Sequence, residues 1–538
     1  PATHRVRVRR GLTVPMRDGT PLIGDLYLPV APAGGAGPTI VLRSPYGRRG
    51  LGGARVLARR GLPVFVQSCR GTFGSGGVFT PQVHEQADGV DTLRWVRAQP
   101  WFTGRLVTHG PSYLGYVQWA VAGHLQRTDP ANAPDALCLQ ATMPDFGAVT
   151  WDHGAFALRN ALGWTQLMVN LQRRDGPLRY LLPSPALRRG LNHLPLNEGD
   201  RVAAGHTVHW YQDWLGHDLS HPYWAGQSHT ASVGDVTAPI SMITGWYDIF
   251  LPWQLRSYAT LAAAGNPPRL TVGPWGHTSR GLSVTALADV VDFLGDRFMG
   301  RATDRTHPVL VYVTGADQWR GYDAWPPAGV ASTELLLQPG GGLAPGHPPA
   351  GDPTRYVYDP ADPTPAVGGP ALSRRCSPVD NRAHERRGDV VGFDSAVLTE
   401  PLEVLGEPSA TIALRTDRPS TDLFVRLCDV HPDGRIMTVC DGVLRLGAAT
   451  TADADQAPAA DGIRTVRVAL WPTAHRFAPG HRVHLQVSSG AHPRYARNTG
   501  HDEPVATARR LAVAHQEIWH APEHPSRLTL PVLADGRP

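Results

Sequence analysis

The stretch Leu106-Val-Thr-His-Gly110-Pro-Ser112-Tyr-Leu-Gly115, continued by Tyr116-Val-Gln-Trp-Ala-Val-Ala-Gly-His-Leu125, decides how this chain folds. Leu106-Val-Thr-His109 has the pattern of a buried strand, and Tyr113 to Leu125 reads as a helix leaving it. Ser112 falls on the tight turn between them, the arrangement that exposes a nucleophilic hydroxyl at a strand end. Gly110 and Gly115 let the backbone turn sharply and the helix pack close. The helix N-terminus directs its N–H groups and the positive end of its dipole at the serine, which favours a developing oxyanion. The general pattern is G-x-S-x-G, and here Leu114 stands where the second glycine is expected. Gly74-Ser-Gly-Gly77, with no strand leading into it, reads as a plain loop.

An elbow serine needs an acid and then a histidine, each at the end of a later strand. The strand-like Pro239 to Gly245 ends in Trp246-Tyr-Asp248 and is followed by a helical pattern from Pro252 to Ala264. The next strand, Arg269 to Gly273, ends in Pro274-Trp-Gly-His277. Asp248 and His277 are thus one strand-helix-strand unit apart, at the sheet edge where Ser112 lies. His277 is expected to take the Ser112 proton and return it to the leaving group, with Asp248 orienting the imidazole.

Working outward, Thr39-Ile-Val-Leu-Arg43 and Leu62-Pro-Val-Phe-Val-Gln67 read as buried strands and Glu85 to Ala98 as a crossover helix, so the sheet is mostly parallel. From about Pro144 to Ala238 the texture is helical and rich in Trp, with Asp145 to Asn170 and Pro183 to Asn192 as expected helices and no convincing strand. Beyond about Pro326, Gly/Pro turns such as Gln338-Pro-Gly-Gly-Gly-Leu343 separate short runs such as Ala410–Arg415, Leu423–Leu427, Thr465–Leu470 and Arg482–Val487, the mark of an antiparallel sandwich or jelly roll without helices. The acidic, Ala-rich Thr450 to Asp461 is a loop by composition. The expected domains are a sheet domain at 1–143 and 239–325, a helical cap inserted at 144–238, and an all-β domain at 326–538.

All 51 basic residues are Arg, because the 538-residue chain contains no Lys. That excludes a Schiff-base lysine, a P-loop NTPase and a Ser-Lys dyad. The net charge of +5 is spread among 46 acids rather than gathered in a stripe, so no nucleic-acid partner is expected. No segment reaches the roughly 18 unbroken apolar residues of a spanning helix, and Pro1 to Arg10 lacks the apolar core of a secretory signal, so no membrane partner and a cytoplasmic location are expected. Cys69, Cys138, Cys376, Cys428 and Cys440 are odd in number and far apart, which predicts buried free thiols. His84-Glu-Gln-Ala-Asp88 imitates a zinc-protease helix but ends in Asp and reads as an amphipathic helix start, and His206-Thr-Val-His209 lacks a third ligand nearby. No metal and no cofactor are expected.

Val14-Pro-Met-Arg-Asp-Gly-Thr20, Ser44-Pro-Tyr46, Arg70-Gly71, the Ser112 turn, Gly245-Trp-Tyr-Asp248 and Gly273-Pro-Trp-Gly-His277 resemble the cocaine-esterase, α-amino-acid ester hydrolase and X-Pro dipeptidyl-peptidase group, the CocE/NonD hydrolases. Tyr358-Asp-Pro-Ala-Asp-Pro363, Thr421 to Val430 with His431-Pro-Asp-Gly434, and Phe477-Ala-Pro-Gly-His-Arg482 extend the likeness over nearly the whole chain. The resemblance implies an α/β-hydrolase fold with an inserted helical cap and a C-terminal jelly-roll domain. It implies an oxyanion site formed by the Tyr46 hydroxyl and the Tyr113 backbone N–H, and an aromatic acyl pocket drawn from Trp151, Trp164 and Phe250. Two departures stand out. Ser68 replaces the family's Asp two residues before Arg70, and the acids of the cap (Asp145, Asp152, Asp175, Glu198, Asp200, Asp213, Asp218, Asp235) form no evident cluster for a free α-amine. The expectation is a serine esterase or amidase acting on a small-molecule acyl substrate, with X-Pro dipeptidyl-peptidase or acyl transfer as the alternatives and a homodimer left open.

Overall fold

The computed structural model describes residues 4–30, 37–49, 53–172, 184–346, 348–349, 351–372, 376–447 and 460–533. The chain divides into two compact units. The first holds Pro1–Phe146, Met168–Leu181 and Pro222–Leu310, and the second holds Gly147–Leu167, Leu182–His221 and Val311–Pro538. The 144–238 insertion is therefore shared between them.

In the first unit, β1 (Arg5–Pro15), β2 (Pro21–Val30), β3 (Thr39–Ser44), β4 (Val64–Ser68), β5 (Leu106–Pro111), β6 (Ala136–Gln140), β7 (Ile240–Tyr247) and β8 (Arg269–Gly276) lie in the order β1-β2-β4-β3-β5-β6-β7-β8. The β1-β2 and β2-β4 pairs are antiparallel, and the remaining neighbours are parallel. The helices are α1 (Ala54–Ala58), α2 (Glu85–Arg97), α3 (Tyr113–Thr128), α4 (Leu251–Ala263) and α5 (Arg280–Met299). β3, β4, β6 and β7 are buried along their whole length, which is why they read as unbroken apolar runs. β1 went unread because its alternating Val6, Val8, Leu12 and Val14 are interleaved with Arg5, Arg7, Arg9 and Arg10, the signature of a half-exposed edge strand. This unit is an α/β-hydrolase fold.

The second unit is β-rich, with a thirteen-stranded sheet among its described residues. Its core is aliphatic, with Leu423, Val425, Leu427, Val439, Leu444, Leu485 and Val487 buried together. Two expectations are corrected here. The helix anticipated over Asp145 to Asn170 breaks into Phe146–Thr150 and Leu158–Leu171 around the antiparallel pair Trp151–Asp152 and Ala155–Phe156. The break occurs at His153 and Gly154, which take φ of 46° and 81°, values a helix does not accept. The all-β region also carries one short helix, Arg382–Glu385. The helix expected from Pro183 is found as Pro185–Asn192, capped by Ser184 Oγ accepting from Leu187 N at 3.1 Å. Most of Thr450 to Asp461 lies outside the described residues. All five cysteines are free and buried, and among the described residues no helix is long and apolar enough to cross a membrane.

His484 gives the second unit a pH signature. Its Nδ1 lies 2.9 Å from Asp394 Oδ1 and its Nε2 3.1 Å from Glu385 Oε2. Burial alone would lower its pKa, but the two carboxylates outweigh it and push it up to about 9. A pKa raised on folding stabilises the native state below the ordinary value near 6.5, and this contribution, roughly 3 kcal/mol, fades as pH rises through the folded value. Thermal melts between pH 6 and pH 10 should therefore show a stability loss between about pH 6.5 and pH 9 that His484→Gln flattens. An unchanged pH slope in that variant would assign the loss elsewhere.

Candidate active site

Ser112 is held at φ 58° and ψ −125°, outside the regions that L-residues ordinarily occupy. Such a conformation costs of order 1–3 kcal/mol and persists only where its surroundings over-determine it. Here Ser112 N donates to Gln140 O at 2.9 Å and to Ala141 O at 3.1 Å, so the end of β6 fixes the turn from one side. Thr142 Oγ1 donates to Ser112 O at 2.8 Å and fixes it from the other. The glycines are required by close approach. A Cβ on Gly110, itself at φ 145°, would lie 2.5 Å from Leu114 Cβ, and one on Gly115 would lie 2.4 Å from Thr142 Cβ. Leu114 is 1% exposed and packs into the apolar cluster between α1, α5 and the sheet. Its bulk is thus core packing on the far side of the turn, compensated by the bare Cα of Gly110.

Asp248 follows β7 and is fully buried. Its Oδ1 accepts from Phe250 N at 2.8 Å, and its Oδ2 lies 2.8 Å from His277 Nδ1. That carboxylate fixes the His277 ring so that Nε2 is the nitrogen left for other partners. His277 follows β8, whose register with β7 shifts between Gly273 and Gly276. The bulge makes room for Trp275, because a Cβ at Gly245, Gly273 or Gly281 would come within 2.2, 2.5 and 2.5 Å of it. The Phe250 ring meets His277 edge to face at 5.1 Å, so this residue packs on the imidazole. Ser112, Asp248 and His277 all stand just past the carboxyl ends of strands in one sheet, where open α/β sheets place their ligands.

Tyr46 is half-buried just beyond β3, the parallel neighbour of β5, with its backbone N donating to Ser44 Oγ at 3.0 Å. Tyr113 opens α3, whose first N–H groups have no acceptor within the helix. Its hydroxyl donates to Glu85 Oε1 at 2.8 Å and accepts from Gln82 N at 2.8 Å. Burial, then the Glu85 charge, pushes the phenol well above its usual range, so it stays a neutral donor. Glu85 is paired in turn with Arg43 at 2.8 Å, and Arg43 Nε donates to Gln67 Oε1 at 3.1 Å.

Residues 18–279 match the X-Pro dipeptidyl-peptidase (S15 family), and residues 301–529 match the X-Pro dipeptidyl-peptidase C-terminal non-catalytic domain. A cocaine esterase of Rhodococcus sp. strain MB1 Bresler is 31% identical, with 98% of each chain covered. The chain belongs to the CocE/NonD hydrolase family. Among solved structures, this CocE/NonD chain superposes on an aminopeptidase from a marine sediment Thaumarchaeota archaeon with a TM-score of 0.83, at 22% identity over 99% of this chain and 97% of that one. An α-amino acid ester hydrolase also gives 0.83, at 23% identity and the same coverage.

The other expected residues of this CocE/NonD hydrolase fall as follows. Trp151 and Trp164 lie in the second unit. Trp164 packs against Trp210 and Trp214, with ring centroids at 6.5 and 5.6 Å. Trp151 donates through Nε1 to Trp214 O at 3.0 Å and also lines a cavity of about 230 Å³. That cavity is lined by Asp218, Asp502 and Glu503 together with Arg445 and Arg497, and Glu503 is paired with Arg510. Ser68, where the family has Asp, accepts from Arg48 Nη1 at 2.6 Å, while Arg70 takes Asp88 as a bidentate partner at 3.0 and 2.6 Å and Asp18 at 2.7 Å. Glu85 and Asp88, which the sequence offered only as one face of a helix start, are therefore buried anchors. Arg43 inside an otherwise apolar strand was the signal, since a buried guanidinium requires an acid. His206 and His209 are exposed.

Gly115→Ala should test how tightly the turn is built. The added methyl must displace Thr142 and with it the bond to the Ser112 carbonyl, which should destabilise the fold by about 1–3 kcal/mol and lower turnover of an activated ester more than ester binding. Calorimetry with steady-state kinetics reads both, and wild-type values for each would contradict the close approach.

Proposed function

We propose that the chain is a serine hydrolase that cleaves carboxylic esters of small acyl substrates through an acyl-enzyme. The observation that carries this reading is the 2.8 Å contact between buried Asp248 and His277, past the carboxyl ends of the same sheet in which β5 leads into Ser112 at φ 58°. Ser112 Oγ attacks the carbonyl carbon while His277 Nε2 takes its proton. The tetrahedral oxyanion is held by the Tyr113 N–H and the Tyr46 hydroxyl. Collapse expels the alcohol, protonated by His277, and water then repeats the sequence on the acyl-serine. Asp248 stabilises the imidazolium formed in each half. The family match and the cocaine esterase relative support ester cleavage as the chemistry.

A fluorophosphonate should label Ser112 in stoichiometric amount, and Ser112→Ala should abolish both labelling and the burst of leaving group from p-nitrophenyl esters. Tyr46→Phe should keep the label while lowering kcat by about 10²–10³, the usual loss for one oxyanion donor. Full activity in Ser112→Ala would end this reading. Turnover of Gly-Pro-p-nitroanilide without turnover of simple esters would replace it with the peptidase reading.

A further inference from the structure

In the second unit, three histidines from separate segments converge on one carboxylate. Asp429 lies near the end of β9 (Thr421–Val430), and His431 follows in the turn to β10 (Ile436–Leu446). His475 lies on β11 (Thr473–Phe477), and His481 immediately precedes β12 (Arg482–Ser488). β12 pairs with β9 so that Arg482 stands opposite Val430, which sets His481 beside His431 with ring centroids 4.4 Å apart. His481 Nδ1 lies 2.8 Å from Asp429 Oδ1, while His475 Nε2 and His431 Nε2 lie 3.2 and 3.8 Å from Oδ2.

Thr314 Oγ1 lies 2.9 Å from Ala474 O and 2.9 Å from His475 Nδ1. Ala474 O already accepts from Thr314 N at 2.9 Å, so the Thr314 hydroxyl can either donate to Nδ1 or accept from it. In the first arrangement a neutral His475 donates from Nε2 to Asp429, and in the second its Nε2 lone pair is open to a cation. One divalent ion can then replace the protons that the rings direct at Asp429, with every ring neutral. The spacing fits. Bonds of about 2.0–2.2 Å in tetrahedral array put ligand atoms roughly 3.3 Å apart, and the Asp429, His431 and His481 donors already lie within 4.8 Å of one another. With an ion on His475 Nε2, the Thr314 hydroxyl would accept from Nδ1–H, the outer bond of a ligating histidine. Asp429 and His475 are buried, while His431 and His481 are partly exposed and leave an entry path.

We propose that Asp429, His431, His475 and His481 form a binding site for a late first-row divalent cation, of which Zn²⁺ is the representative. Three imidazole nitrogens and one carboxylate select this class over Mg²⁺ or Ca²⁺, which prefer oxygen. Binding at His431 Nε2 moves that ring's proton to Nδ1 and releases the 3.4 Å contact with Arg435 Nη2. The ion would pin the turn after β9 to β11 and to the start of β12, far in sequence from the residues assigned to chemistry.

The test uses the full chain, stripped with a chelator and titrated with Zn²⁺ alone against a chromophoric competitor, with melting temperature read in parallel. The expected result is one tight equivalent that raises the melting temperature. The His431→Gln/His481→Gln variant, altered only at turns, should melt like the stripped wild type, lose that rise, and bind at least about tenfold more weakly. His206→Gln/His209→Gln should keep both the equivalent and the rise. Co²⁺ in place of Zn²⁺ should give the visible absorption of a low-coordinate nitrogen-ligated ion in wild type only. No tight uptake by the stripped wild type, or uptake that survives in His431→Gln/His481→Gln, would overturn the proposal.

Discussion

The turn at Ser112 is the constraint on which the chemistry proposed for the first unit depends. A non-glycine residue at φ 58° stores free energy that the sheet must supply, and the supply is local. β6 ends by offering Gln140 O and Ala141 O to the Ser112 N–H, and Thr142 then returns a hydroxyl to the Ser112 carbonyl. β6 is itself tied to β7 through Ala141 N donating to Ile243 O at 2.8 Å. Gln254 of α4 reaches back with its Oε1 to Thr142 N at 2.9 Å and its Nε2 to Ile243 O at 3.2 Å. The Ser112 turn and the strand that leads to Asp248 are therefore joined by the same few bonds. Displacing one strand by an ångström would loosen the serine and move the acid together, and positioned groups are sensitive on that scale.

Much of this was legible because it is local. The strand, turn and helix around Ser112 occupy consecutive residues, and Asp248 and His277 each terminate an apolar run of strand length. Buried parallel strands leave continuous hydrophobic text. What stayed hidden depends on residues that meet only after folding. Glu85 and Asp88 look like any polar face of a helix start until Arg43 and Arg70 are seen to turn toward them. Leu114 looks like a defect in a motif until its side chain is found over Gly110. The Trp151–Phe156 hairpin was obscured because its strands are two residues long, too short for any period to register. The histidines around Asp429 come from three stretches of sequence, each unremarkable alone.

The all-arginine composition acquires a structural meaning in the interior. Arg43, Arg426, Arg445 and Arg494 are all deeply buried or nearly so, and each is paired with a buried acid. Arg426 reaches Asn381 Oδ1 at 2.6 Å and Asp441 Oδ2 at 3.1 Å, while Arg494 takes the other oxygen of Asp441 at 2.6 Å. Arg494 also lies 4.9 Å over the Trp471 ring and 4.9 Å over that of Tyr495. A guanidinium can face a carboxylate with one edge and an aromatic ring with its plane, which an ammonium cannot. Removing one member of such a set strands a charge away from water, so these contacts act through the penalty for breaking them more than through net stabilisation.

The same reasoning separates the two kinds of polar cluster in this chain. Around Glu85 the donors and acceptors alternate: Arg43 donates to the carboxylate, the Tyr113 hydroxyl donates to it, and that hydroxyl accepts from Gln82 N. Each of these three hydrogens has a recipient. Its effect is positional, because the tyrosine it anchors carries the first N–H of α3. Around Asp429 three imidazoles stand about one carboxylate, with His475 and His481 within hydrogen-bond reach and His431 at 3.8 Å. The Glu85 contacts admit one placement of their protons, whereas the Thr314 hydroxyl admits two at His475, because Ala474 O is already served by Thr314 N. That freedom is what would let a cation stand in for protons there.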